Sequence, residues 1–228
     1  MFTIEENIEK TLVIKKSKFI ANFIKVSTQK EAEEEIKKLK RRFYDARHNC
    51  IAYRVLEDDK VVERFSDDGE PSGTAGQPML NILQKNNLVN ILIVVTRYFG
   101  GILLGTGGLV RAYSDSLINT IEGNNLLEIK IGVKYLAEIE YNQFEKFKYY
   151  CKNNNINIVK YNYTEKIVCE IELEEELKDK ILKDYELKNI NLVNLKYLSK
   201  KYIEKSIKKW KFCKIREKIY SILLKKSI

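Results

Sequence analysis

The chain has 228 residues and a formal net charge of +9, with 44% hydrophobic and 32% charged residues. These proportions are typical of a folded globular protein, and the length allows one large domain or two small ones. No apolar stretch approaches the roughly 20 residues that cross a bilayer, and glutamates occupy the N-terminus where a signal peptide is basic and then apolar. We therefore expect a cytoplasmic protein without a transmembrane segment.

The predicted elements of the first half alternate strands with helices. A helix over residues 28–43 is the clearest, because apolar residues recur every three or four positions and acidic residues precede basic ones, as the helix dipole favours. Pro78 suits the first turn of a second helix. The elements in order are strands within 11–26, the helix at 28–43, a hairpin of strands at 49–56 and 61–66, a helix at 78–86, a strand at 91–96 and a helix at 108–121. They form a mixed α+β domain over residues 1–130.

The second half has the order of a ferredoxin-like domain, βαββαβ, over residues 133–199. Its elements are a strand at 135–141, a helix at 143–153, strands at 156–163 and 166–173, a helix at 175–187 and a strand at 191–197. Residues 200–228 hold eleven Lys or Arg against two acids, which accounts for the whole net charge. Apolar residues recur among these lysines at helical spacing, so we expect a basic amphipathic helical extension.

Five glycines within nine residues follow the strand at 91–96. Glycine lets the backbone come close to a partner, and Arg97 and Arg111 flank the turn, so an anion site is one interpretation. Close packing of the following helix on the sheet is a second, and an approach surface for another macromolecule is a third. Neither the P-loop nor the dinucleotide pattern fits. The residues assigned to this ligand site are Arg97, Tyr98, Gly100, Gly101, Gly105, Gly107, Gly108 and Arg111.

An acidic loop precedes the second helix. Its carboxylates suit cation binding or hydrolysis, but an Asp-Asp-Gly sequence more often caps a turn through side-chain to backbone hydrogen bonds. The residues singled out in this loop are Asp67, Asp68, Glu70, Ser72 and Thr74.

An upstream motif contains the only histidine. On a strand, His48 and Cys50 share a face, which permits a two-ligand metal site or a Cys–His pair, although a structural histidine explains the pattern more simply. The four cysteines lack a CxxC pair, so reduced thiols are expected, and no metal or cofactor is predicted. The motif residues are Arg47, His48, Cys50 and Tyr53.

Bases and aromatic residues interleave in the C-terminal extension. Lysines neutralise phosphates while aromatic rings stack on exposed bases, a combination typical of single-stranded RNA binding. A solvated helix that packs its apolar stripe on the second domain, or one that binds an anionic membrane, remains an alternative. The residues concerned are Lys208, Lys209, Trp210, Lys211, Phe212, Lys214 and Arg216.

Four segments resemble the YigZ/Impact family: Arg47–Tyr53, Gly69–Gly76, Val94–Gly101 and Leu104–Tyr113. The resemblance implies a first domain with the ribosomal protein S5 domain 2-like fold and a ferredoxin-like second domain. This arrangement is similar to the last two domains of elongation factor G, which implies contact with the ribosome, RNA or a translation factor. Eukaryotic Impact proteins restrain a stress kinase by competing for the activator of that kinase, so a protein partner is also implied.

These observations lead to one main hypothesis and two rivals. The main hypothesis is a non-enzymatic binding module of the translation machinery, in which Arg97, Tyr98, Arg111 and the loop 70–76 form one surface. The first rival is a hydrolase or phosphoryl-handling enzyme that uses Asp67, Asp68, Glu70 and Ser72 near the glycine turn. The second rival is a protein-only adaptor that competes for a regulatory partner. The oligomeric state is not predicted.

Overall fold

A computed structural model describes residues 1–122 and 125–206. The described chain divides into two compact units, residues 1–128 (unit 1) and 129–205 (unit 2). Most of the predicted helical extension, residues 207–228, lies outside the described residues.

Unit 1 is built on a five-stranded antiparallel sheet with the order β2-β3-β6-β4-β5. Strands β5 and β6 run in the same direction with β4 between them. A short strand, β1, pairs instead with residues 126–128. The strands are β1 (Phe2–Ile4), β2 (Ile8–Ile14), β3 (Ser17–Lys25), β4 (His48–Glu57), β5 (Lys60–Ser66) and β6 (Ile91–Tyr98).

Three helices cover the two faces of this sheet: α1 (Gln29–Arg42), α2 (Gly76–Lys85) and α3 (Gly105–Ile121). Helix α1 packs its apolar stripe on one face, and α2 and α3 pack on the other. Helix α1 confirms the prediction, because the Thr28 side chain caps its N-terminus by accepting a hydrogen bond from the Glu31 N–H at 3.0 Å. The mixed α+β class is confirmed.

Helix α3 begins three residues earlier than predicted. Glycine has low helix propensity, so the sequence pattern places the start at Gly108, after the last glycine. The structure instead includes Gly105, Gly107 and Gly108 in the first turn. The glycine-rich turn is therefore shorter than expected, and its second half is the N-terminus of a helix.

Unit 2 confirms the ferredoxin-like order. Its sheet runs β10-β7-β9-β8, and its helices α4 and α5 pack on one face over a continuous apolar core. The elements are β7 (Leu126–Ile139), α4 (Phe144–Asn153), β8 (Asn157–Tyr163), β9 (Ile167–Glu174), α5 (Lys178–Glu186) and β10 (Asn194–Ser206).

Strand β10 corrects one expectation. Residues 200–206, assigned from sequence to the helical extension, belong to this strand. Lys201 and Lys205 form ion pairs with Glu172 and Glu174 of β9, and a Cβ built on Gly132 of β7 would lie 2.8 Å from Ile203. These contacts use alternate residues, which is the period of a strand. Of the helices in the described part of the chain, none has the length and apolar character needed to span a bilayer.

Candidate functional site

Unit 1 contains a cleft of about 400 Å³, close to the lower end of the range for small-molecule sites. It lies where the C-terminal end of β6, the N-terminal end of β4, the loop before α2 and the start of α3 meet. Every residue of its lining falls in, or directly between, segments that carry the family resemblance. The lining residues are Arg47, His48, Gly69, Glu70, Pro71, Arg97, Phe99, Leu103, Leu104, Gly105, Thr106 and Leu109.

A buried ion pair forms one wall of the cleft. Arg97 Nη1 donates to Glu70 Oε1 at 2.6 Å, and the two side chains are only 7% and 3% exposed. The Tyr113 hydroxyl donates to the same oxygen at 2.9 Å. Removal of one partner would leave the other charge buried without compensation, at a cost of about 3–5 kcal/mol. The positive charge of Arg97 is therefore balanced by Glu70 within the protein.

His48 and Cys50 face the cleft side of β4, as their spacing predicts. His48 Nδ1 lies 2.9 Å from the Asp68 carbonyl oxygen, which can only accept, so Nδ1 carries the proton in this bond. The other ring nitrogen, Nε2, lies 3.9 Å from Glu70 Oε1. Cys50 Sγ donates to the Asp67 carbonyl at 3.0 Å, and burial raises the pKa of this thiol to about 12. Cys50 is therefore an inert core thiol rather than a nucleophile.

The acidic loop is organised by its aspartates. Asp67 accepts hydrogen bonds from the N–H groups of Gly73, Ala75 and Gly76 at 2.8–2.9 Å, so it caps the N-terminus of α2 from a distance in sequence. Asp68 accepts from the Asn49 N–H and forms an ion pair with Lys40, each at 2.7 Å. The capping interpretation is thus supported over the catalytic one.

The other residues of the acidic loop do not complete the group of catalytic residues that a hydrolase would need. Ser72 is exposed and is not part of the cleft lining, and the buried Thr74 hydroxyl donates to the Pro71 carbonyl at 2.7 Å. Of the carboxylates proposed for hydrolysis, only Glu70 reaches the cleft, and the structure does not bring it together with the other three residues.

Different structural features explain why glycine, rather than a larger residue, occupies most positions of the turn. A Cβ on Gly100 would lie 2.0 Å from the Lys16 carbonyl carbon, and one on Gly108 would lie 3.1 Å from Leu104 Cβ. Gly101 and Gly105 have φ of +83° and +72°, which favour glycine. Gly107 has neither reason, because a Cβ there meets nothing within 4 Å among the described residues and its φ is not positive.

Most residues assigned to the site do not line the cleft, among them Tyr98, Tyr53 and Arg111. Tyr98 and Tyr53 belong to the opposite face of the sheet, because neighbouring residues of a strand alternate; their hydroxyls donate to Asp45 and to Glu33 of α1. Arg111 is exposed on α3, beyond the lining residues. The surface expected from Arg97, Tyr98 and Arg111 together is therefore not formed. The RNA-binding residues proposed between Lys208 and Arg216 lie outside the described residues.

Sequence reasoning missed the apolar wall of the cleft. Phe99 and Leu103 are 42% and 84% exposed, and Leu104 and Leu109 lie beside them. The available signal was the placement of these large apolar residues between glycines, where a surface turn is normally polar. It also missed the Tyr113 hydroxyl, whose pKa burial raises far above its usual range.

Two family models match the chain: the Impact N-terminal domain over residues 15–121 and a domain of unknown function, DUF1949, over residues 138–184. The chain is 40% identical to the IMPACT family member YvyE of Bacillus subtilis over 175 residues, which cover 77% of this chain and 80% of the relative. It is also 40% identical to the IMPACT family member YigZ of Escherichia coli, over 57% of this chain and 64% of that protein.

A solved structure described only as a hypothetical protein aligns with a TM-score of 0.55 and 29% identity. The alignment covers 87% of this chain and 97% of that one. The extent of the match to YvyE, together with the two family models, shows that this chain belongs to the IMPACT family.

Proposed function

We propose that this protein is a binding module of the translation machinery and that the cleft end of unit 1 is its contact surface. The observation that carries the proposal is the convergence of the family-like segments on one cleft of unit 1. The family resemblance links such chains to translational control, and the cleft offers a single place where these segments act together.

The surroundings of the cleft suit an anionic macromolecule. Lys15 and Lys16 form the two-residue turn between β2 and β3, both with positive φ, and both are exposed. Gly100 packs against the Lys16 backbone directly after Phe99, a lining residue, so this turn borders the cleft. Arg47 is exposed in the lining itself. Cations in this arrangement neutralise phosphates of RNA, which makes binding depend on salt.

The test is co-sedimentation of the full-length chain with ribosomes and with free RNA across a salt series. We expect binding that weakens steeply with salt, and a further loss of about tenfold or more in the Lys15→Glu/Lys16→Glu variant. The matched control is Lys30→Glu/Lys37→Glu, which makes the same charge change at exposed positions of α1, on the opposite face of the sheet. Equal losses in both variants would point to net charge rather than to the cleft end.

The C-terminal residues are tested in the same assay. If Lys208, Lys209 and Lys211 contact phosphates, their replacement by alanine lowers the slope of log K against log salt by about 2 for a single strand. Binding of a purified translation factor that does not respond to salt would instead favour the protein-only adaptor. Absence of sedimentation at low salt would contradict the ribosome and RNA contact.

A further inference from the structure

The N-terminus of α3 opens into the cleft without a capping side chain. This helix has 17 residues, and its N-cap position is Leu104, whose side chain cannot accept a hydrogen bond. Gly105 and Thr106, the first two residues of the helix, line the cleft. The first N–H groups of a helix have no partner within the helix, and they carry its positive dipole end. Donors without acceptors therefore lie at the cleft.

Arg97 provides a second and independent observation. Its side chain is 93% buried and lines the cleft, yet its bond to Glu70 is the one hydrogen bond that the described residues offer it. The buried Nε has no partner at all among them. A guanidinium has five donors, and buried donors are normally satisfied. The guanidinium also lies over the rings of Phe19 and Phe99, at 5.5 and 5.7 Å, and its Nε is closed to solvent. The donors left for an acceptor at the cleft are therefore those of the terminal Nη atoms.

The rest of the cleft limits the type of ligand. Phe99, Leu103 and Leu109 form an apolar wall that suits a planar or hydrophobic body. Glu70 Oε2 accepts from no group among the described residues, so it is available to a hydroxyl or amino group. The negative charge of the Glu70 carboxylate would repel the additional phosphates of a nucleoside di- or triphosphate. Asp67 and Asp68, which could hold a magnesium ion beside a polyphosphate, are already engaged.

We propose that the cleft of unit 1 binds one nucleoside monophosphate, with its phosphate on the N-terminus of α3 beside Arg47 and Arg97 and its base against Phe99 and Leu103. The group recognised is a terminal phosphomonoester on a nucleoside, and it has two possible sources: a free mononucleotide or the 5′-phosphorylated end of an RNA. This site goes beyond the proposed function and does not depend on ribosome contact.

The test is isothermal titration calorimetry on the full-length chain with AMP, UMP, inorganic phosphate, ATP with magnesium, and two short RNAs that differ only in a 5′-phosphate. We expect saturable 1:1 binding of AMP or UMP, or of the 5′-phosphorylated RNA, and weaker binding of ATP and of phosphate. Binding of AMP alone identifies a free nucleotide as the ligand, whereas binding of the phosphorylated RNA alone identifies an RNA end.

The decisive variant is Thr106→Glu, at an exposed residue of the cleft lining in the first turn of α3. An acidic side chain at a helix N-terminus interacts favourably with the helix dipole, so the fold should be kept, whereas its charge should repel the phosphate and weaken binding about tenfold or more. Thr106→Gln is the matched control, since it places a side chain of the same size at the same position without the charge. It should bind more tightly than Thr106→Glu.

Arg47→Ala gives a second variant at an exposed residue, for which we expect binding weakened by about threefold to tenfold. The proposal is overturned by any of three results. No phosphate-bearing probe binds saturably at millimolar concentration; the 5′-phosphate makes no difference to RNA binding while AMP and UMP do not bind; or Thr106→Glu binds as tightly as Thr106→Gln. None of these outcomes concerns the Lys15→Glu/Lys16→Glu sedimentation result, so failures of the two proposals are distinguishable.

Discussion

The two units use opposite charges in different ways. Unit 1 has exposed ion pairs as well, but its distinctive pair among the described residues is Arg97 and Glu70, which is buried on both sides at the cleft. Unit 2 arranges its charges as a ladder, in which three glutamates of β9 pair with lysines of the other strands of the sheet, and these lysines remain partly exposed. The ladder pairs are Lys134 and Lys160 with Glu170, Lys201 with Glu172, and Lys130 and Lys205 with Glu174.

This difference separates the buried wall of a cleft from the exposed surface of a sheet. Exposed pairs contribute little each, because water screens them, and they stabilise a sheet only through their number. A buried pair has a large desolvation cost that an apolar pair of the same volume would avoid. Stability alone therefore does not account for Arg97 and Glu70 at the cleft, and recognition is the role that we propose for them.

The largest expected effect comes from breaking the buried pair. Glu70→Ala leaves Arg97 buried and unpaired and removes the acceptor of Tyr113, so we expect unit 1 to lose about 3–5 kcal/mol of stability. Glu172→Ala in the ladder should cost about 0–1 kcal/mol. Native-state hydrogen exchange at β6 and β9 measures the two units separately. If Glu70→Ala and Glu172→Ala lost similar amounts of stability, the buried pair and the ladder would not differ as we describe.

An intermediate effect is expected from the tyrosine hydroxyls. Tyr113→Phe removes a donor to the buried Glu70, for a loss of about 1–3 kcal/mol. In unit 2, Tyr150 donates to Asp184 at 2.6 Å from a half-buried position, and Tyr150→Phe should cost about 0.5–1.5 kcal/mol. Urea denaturation of each variant provides the measurement. A larger loss at Tyr150 would show that burial does not decide these costs.

The smallest effect is the pH dependence of the ladder. Hydrogen bonds from Lys130 and Lys205 lower the pKa of Glu174 below its usual 4.5, so its contribution is present above pH 4.5 and is lost as the pH falls through the folded-state value. Protection of β9 against hydrogen exchange should therefore decrease below about pH 4.5. Glu174→Gln should flatten this decrease, and an unchanged profile in that variant would contradict the assignment.

Local patterns predicted most of the fold. The stripe and caps of α1 and the strand order of unit 2 depend on short-range periodicity, which a sequence displays directly. The sequence pattern predicts a later start for α3 and an earlier end for β10 than the structure has, because tertiary contacts decide both boundaries. Glycines of low helix propensity begin α3, and ion pairs with β9 extend β10.

The site was only partly predictable because it depends on register and alternation. Strands β4 and β6 pair so that His48 lies opposite Arg97, which brings the upstream motif to the glycine turn. The same alternation sends Tyr98 to the other face, although it is adjacent to Arg97 in sequence. The partners of Arg97 and Asp67 are also distant in sequence. The sequence therefore could not show whether these two charged side chains are already paired within the protein or available to a ligand.

We propose that the cleft end of unit 1 is the surface through which this protein contacts the translation machinery. Hydrogen exchange of the full-length chain with and without ribosomes at low salt tests it most directly. We predict that ribosomes slow exchange in the β2–β3 turn, in residues 97–107 and around Arg47. Protection confined to unit 2, with no change in these segments, would contradict the claim.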